Sequence, residues 1–135
     1  MGLAANGSSE RDVSTVLVVE DDPSLRMLCR VNLELESYRV LEAGTISRAE
    51  NLLAEEHVDV LLLDLHVGDR NGFELLPLLR EEHPNVAVCL LSGTSEVDPP
   101  QPEGVAGFIR KPFQLHELSD AVGKLAAGGA GTTLR

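Results

Sequence analysis

The chain has 135 residues, 43% of them hydrophobic and 24% charged, which suits one domain whose core needs neither a disulfide nor a structural metal. A formal net charge of −11 leaves no basic face for direct nucleic-acid binding and favours divalent cations or basic partner surfaces. No run approaches the length of a membrane span and no hydrophobic signal core opens the chain. A cytoplasmic protein is therefore expected, with Cys29 and Cys89 as reduced core residues.

Residues 1–12 are small and polar without periodicity and are expected to be a disordered lead. Thr15 to Val19 reads as a short β-branched strand that stops at Glu20-Asp21-Asp22-Pro23. Pro23 has the fixed φ of a first helical residue and Asp22 is placed to cap it. That helix is expected to run to about Glu36, with Leu25, Leu28, Cys29 and Leu33 on its inner face. Tyr38 to Ala43 is a second strand. Ile46 to Glu56 is a second helix, with Ala49, Leu52 and Leu53 inward and Thr45 or Ser47 as its cap.

The run Val58 to Asp64 is the centre of the pattern. Its four consecutive apolar residues, Val60 to Leu63, are too few for a helix and too continuous for a strand with one wet face, so they predict a strand buried on both sides. Asp64 closes the run, and a loop over Leu65 to Asn71 leads to a helix from about Gly72 to Glu82 that contains Pro77. Val86 to Leu91 is a fourth buried strand ending at Ser92-Gly93-Thr94. Val105 to Arg110 is a fifth, leading into Lys111-Pro112-Phe113. Gln114 to Ala127 is a helix with Leu115, Leu118, Ala121, Val122 and Leu125 at helical spacing, and residues 128–135 are a flexible tail or linker remnant.

Strands alternating with helices predict a parallel sheet with right-handed crossovers and helices on both faces. Every strand's carboxyl end then lies on one edge, which gathers Glu20, Asp21, Asp64, Ser92 and Lys111. Three carboxylates meeting there need a cation to stay ionised together, and an oxygen-only set favours Mg²⁺ or Mn²⁺ over zinc. With its charge compensated, Asp64 is a nucleophile for a phosphoryl group, Lys111 a fixed cation and Ser92 a hydroxyl donor.

Val18-Val19-Glu20-Asp21-Asp22-Pro23, Leu61-Leu62-Leu63-Asp64-Leu65, Leu91-Ser92-Gly93 and Lys111-Pro112-Phe113 together resemble the four signature patches of the bacterial response-regulator receiver domain. This CheY-like resemblance covers about Val13 to Ala127. It implies a doubly wound α/β fold whose five-stranded parallel sheet has the order 2-1-3-4-5. It also implies that Asp64 takes phosphate from the phosphohistidine of a sensor histidine kinase or histidine phosphotransfer protein. Asp21 would bind Mg²⁺ directly and Glu20 through water, with Asp64 and the His66 backbone carbonyl completing the protein ligands. Ser92 would move toward the phosphoryl group, Lys111 would pair with it, and Phe108 would follow as the switching aromatic. Lys111-Pro112 would be a cis peptide. The implied role is signalling: the only chemistry is the domain's own phosphotransfer and autodephosphorylation. The implied partners are the kinase and a second copy or a downstream effector, with no nucleic acid or membrane.

Three features depart from the family pattern. Gly68 stands where proline is usual, which predicts a looser loop after Asp64. Phe108 replaces a frequent tyrosine. The interval from Ser92 to Lys111 is short and contains Asp98-Pro99-Pro100-Gln101-Pro102, so the fourth helix is expected to be missing or reduced to a turn, and output to pass through the first and last helices. The alternative function is a phosphorylation-independent receiver-like interaction module. A nucleotide-binding or phosphatase reading fails because acids stand where a phosphate cradle is needed after the first strand.

Overall fold

A computed structural model describes residues 13–93 and 104–128. Its elements are β1 (Thr15–Val19), α1 (Pro23–Leu35), β2 (Arg39–Ala43), α2 (Ile46–Glu55), β3 (Val60–Asp64), α3 (Leu76–Glu82), β4 (Ala87–Ser92), β5 (Val105–Arg110) and α4 (Leu115–Gly128). The five strands are all parallel and lie in the order β2-β1-β3-β4-β5, as expected. Register pairs Leu17 with Leu41 on one side and with Leu61 on the other, so β1 lies between β2 and β3, and β3 is the central strand.

The continuous apolar runs are explained by two cores, one on each face. Leu17, Val19, Leu61, Leu63 and Leu90 face α2 and α3, where Ile46, Leu52, Leu53 and Leu79 meet them. Val16, Val18, Val60, Leu62, Cys89 and Leu91 face α1 and α4, against Cys29, Leu33, Leu118 and Val122. Side chains alternate with period two, and both faces are dry because helices cover both. Each fully buried leucine contributes on the order of 2 kcal/mol from area removed from water.

The caps fall where the sequence puts them. The Asp22 side chain accepts from the Ser24 and Leu25 amides with Pro23 in the first helical turn, and Thr45, rather than Ser47, accepts from the Arg48 amide. Four expectations need correction. Leu28 is 47% exposed: α1 meets the sheet along the Cys29–Leu33 line, and Leu28 lies one helical step of about 100° away from it. Leu115 is also exposed, at the first turn of α4. The single helix expected from Gly72 to Glu82 is a 3₁₀ turn over Gly72–Leu75 followed by α3. Asn71 and Glu74 form a capping box on that turn, and α3 starts just before Pro77, whose missing N–H is harmless in the first turn. Finally, β4 runs through Ser92, which pairs with Arg110.

The loop after Asp64 carries pairing of its own. His66–Val67 and Arg70–Asn71 form a short antiparallel ribbon joined by Gly68 and Asp69, with Gly68 at φ +66°. Lys111-Pro112 is a cis peptide. The expectations for residues 1–12, for the proline-rich stretch Asp98 to Pro102 and for residues 129–135 lie outside the described residues. Among the described residues, no helix is long and apolar enough to cross a membrane.

Candidate functional site

The crossovers change direction between β1 and β3, so a crevice opens beyond the carboxyl ends of those strands. Glu20 and Asp21 follow β1, Asp64 ends β3, Ser92 ends β4 and Lys111 follows β5. All of these residues, expected from sequence to share a rim, lie at strand ends on one edge of the sheet. Glu20 (1%), Asp64 (5%) and Ser92 (0%) are buried, while Asp21 is exposed.

Glu20 is fixed by the ladder itself, because its amide continues the β1–β2 pairing by donating to the Ala43 carbonyl at 3.0 Å. Its two carboxylate oxygens then take different partners. Oε2 accepts from the Asp22 amide at 3.0 Å, and Oε1 accepts from Lys111 Nζ at 2.8 Å. The same ammonium donates to Asp64 Oδ2 at 3.1 Å, and Lys111 is held in register by its own amide, which donates to the Ser92 carbonyl at 2.6 Å. Burial pushes the Glu20 carboxyl up to about 7; its bonds from Lys111 and the Asp22 amide offset this only in part, and the Asp64 charge adds to the rise. For Lys111, burial alone would lower the pKa. The bonds and charges of Glu20 and Asp64 outweigh burial and hold it above the ordinary lysine value.

One carboxylate oxygen from each of Glu20, Asp21 and Asp64 lies within 4.8 Å of the others. That all-oxygen set, two of its three members buried, fits a hard divalent ion such as Mg²⁺ or Mn²⁺. His66 follows at an exposed position, its amide 3.4 Å from Asp64 Oδ1. Ser92 Oγ donates to the Gly93 carbonyl at 3.3 Å. Phe108 is half-buried against the α2–α3 core, with the Arg110 guanidinium 5.5 Å from its ring centroid. Beside Lys111, a cleft of about 410 Å³ is lined by Asp22, Leu25, Leu28, Pro112 and Phe113.

Three supports escaped the sequence reading. Arg26, on α1, donates to the Glu20 carbonyl at 2.7 Å and to Glu42 Oε1 at 3.1 Å, so it braces β1 against β2 at the site. Gly72 comes so close to Asp64 that a Cβ there would run into the Asp64 carbonyl oxygen. The Gly68 amide donates to Asp21 Oδ2 at 3.0 Å, across 47 positions of sequence. A glycine beside Asp-Arg-Asn hints at a tight turn, but not at what its amide will meet.

Comparison with known proteins agrees with this geometry. Residues 16–123 match the family model of the response regulator receiver domain. Sporulation initiation phosphotransferase F of Bacillus subtilis is 28% identical over 112 residues, covering 81% of this chain and 90% of that protein. The transcriptional regulatory protein MalR of the same organism is 32% identical over 112 residues, 79% of this chain and 48% of MalR. The Mycobacterium tuberculosis protein named as the probable transcriptional regulatory protein TcrX is 33% identical over 107 residues, 77% of this chain and 46% of that protein. The chain thus spans about half the length of the last two relatives. Among solved structures, a CheY-like response regulator receiver domain protein from Methanospirillum hungatei superposes with a TM-score of 0.77 at 22% identity, over 87% of this chain and 96% of that one. A response regulator from Thermotoga maritima gives 0.72 at 27% identity, over 85% and 98%. With a family match across nearly the whole described sheet, and acids and lysine on the rim where the strands end, the chain belongs to the response regulator receiver domain family.

Proposed function

We propose that this receiver domain accepts a phosphoryl group on Asp64 from the phosphohistidine of a sensor histidine kinase or histidine phosphotransfer protein, in the cytoplasm and with Mg²⁺ or Mn²⁺ bound. The observation that carries the reading is one ammonium, Lys111 Nζ, shared between buried Glu20 and Asp64 at a rim where three carboxylates converge. Glu20, Asp21, Asp64 and the His66 backbone carbonyl would hold the ion, which when bound supplies positive charge for the phosphoryl oxygens.

An Asp64 carboxylate oxygen forms the bond to phosphorus as the phosphorus–nitrogen bond to the donor imidazole breaks, and the electron pair returns to that nitrogen. The product is an acyl phosphate. Lys111 is already in contact with Asp64 and pairs with the new negative charge. Ser92 turns its hydroxyl toward the phosphoryl group, and Phe108 follows into the space beside it. The cleft lined by Leu25, Leu28 and Phe113 offers the incoming phosphohistidine an approach that ends at Lys111. Output passes through α1 and α4, whose exposed Met27, Val31, Leu35 and Leu115 form apolar surface.

Incubation with acetyl phosphate and Mg²⁺ is expected to add one phosphoryl group to the intact mass of the wild-type protein. Asp64→Asn, or wild type with chelator, is expected to gain none. A wild-type mass unchanged by acetyl phosphate and by a phosphohistidine donor would leave the phosphorylation-independent interaction module as the function.

A further inference from the structure

We infer that the Gly68 amide is a positioning group for Asp21, holding that carboxylate ready for the divalent ion; this rests on the metal site proposed above. The bond runs from Gly68 N to Asp21 Oδ2 at 3.0 Å and joins the loop after β3 to the turn after β1. Asp21 is the exposed member of the acidic trio, so it lacks the packing that fixes Glu20 and Asp64. A donor on one oxygen of a carboxylate fixes its plane and leaves the other oxygen for a ligand, and such supporting bonds commonly govern metal affinity.

The backbone around Gly68 is built for that aim. Its φ of +66° is a conformation that L side chains rarely adopt, and it follows from the two-residue connection between His66–Val67 and Arg70–Asn71. A Cβ at this position would meet nothing within 4 Å, so what selects glycine here is the backbone angle and not space. The ribbon is anchored in turn: its last residue leads into Gly72, whose amide donates to the Leu65 carbonyl at 2.7 Å. A two-stranded clip therefore carries one N–H to the exposed acid of the cluster.

Two substitutions probe the contact, one keeping the amide and one removing it, and hydrogen exchange reads the amide apart from the turn. Gly68→Asn keeps the N–H and tolerates positive φ, whereas Gly68→Pro removes the N–H and cannot take that angle. In calorimetric titration of the full chain with Mg²⁺, Gly68→Asn is expected to bind within about twofold of wild type and Gly68→Pro about tenfold more weakly. Hydrogen exchange on the wild-type protein gives an independent reading that needs no variant. The Gly68 amide is expected to exchange more slowly once Mg²⁺ is present, because the ion fixes its acceptor. Unchanged or faster exchange, or Gly68→Pro binding Mg²⁺ as tightly as Gly68→Asn, would overturn the inference. If wild type itself takes up no Mg²⁺ in the same titration, the metal site fails and the role of Gly68 falls with it. If wild type binds and the variants do not differ, only the role of Gly68 fails.

Discussion

Asp59 and Asp64 bracket the same strand, and they show how position decides what a carboxylate is for. Asp59, at the entry to β3, is half-exposed and occupied by structure: its Oδ2 accepts from the Thr15 amide at 2.8 Å and its Oδ1 lies 2.9 Å from His57 Nε2. Its backbone amide donates to the Thr15 carbonyl and its carbonyl accepts from Ala87, so it knits β1, β3 and β4 at their starts. Asp64, at the exit, is buried and shares a lysine with another acid. The amino-terminal rim satisfies its acid with one backbone amide and a histidine ring, in reach of water. The carboxyl-terminal rim gathers like charges around a single ammonium, an arrangement that added positive charge would stabilise.

That contrast can be tested by perturbing each end and the middle. Gly72→Ala is expected to be the most damaging, since its methyl would press on the Asp64 carbonyl oxygen; a loss of about 3 kcal/mol in urea unfolding is expected, with phosphorylation from acetyl phosphate reduced as well. Lys111→Met should cost about 2 kcal/mol in metal-free protein, because it strands Glu20 and Asp64 together. Added Mg²⁺ should recover much of that loss, and equal losses with and without the ion would contradict the charge argument. Asp59→Ala should cost about 1 kcal/mol by removing the acceptor of the Thr15 amide while phosphorylation proceeds at the wild-type rate. A clear fall in phosphorylation for Asp59→Ala would show that the two ends are not independent.

The smallest expected effect comes from the middle of the sheet. Cys89 lies opposite Leu62, midway between the two aspartates, and burial pushes its thiol up to about 12; Cys29 is raised to about 11, chiefly by burial and further by the Glu20 charge. Both thiols are free and deeply buried. In the unfolded chain they deprotonate near 9.0, so above that pH the unfolded state holds fewer protons than the native one. Their contribution is complete below about pH 9 and is lost as pH rises through 11 and 12. A double Cys→Ala protein should show a shallower alkaline decline in melting temperature than wild type. Parallel declines would show that other groups govern it.

Much of this molecule was legible as sequence because its strongest signals are local. Val60 to Leu63 could be nothing but a strand dry on both sides, and Asp22-Pro23 could hardly fail to start a helix. Parallel topology then gathered the acids and the lysine on one rim without a single contact being known. What remained hidden depends on neighbours distant in sequence. Leu28 has helical spacing with buried residues, yet the spacing does not say how wide a stripe the sheet covers. Pro77 announced trouble in the third helix, but only the capping box of Asn71 and Glu74 shows that a 3₁₀ turn comes first. The Arg26 and Gly68 contacts rest on a guanidinium and an amide whose partners no periodicity reveals.

Arg26 makes the outermost strand part of the machinery. Its guanidinium spans from Glu42 on β2 to the carbonyl of Glu20, and a Cβ at Gly44 would sit only 3.0 Å from its Nη1. A side chain at 44 would therefore shift by a few tenths of an ångström the same guanidinium nitrogen that donates to the Glu20 carbonyl. Substitution along that margin would thus be felt beside Glu20 through a side chain that touches none of the carboxylates of the site.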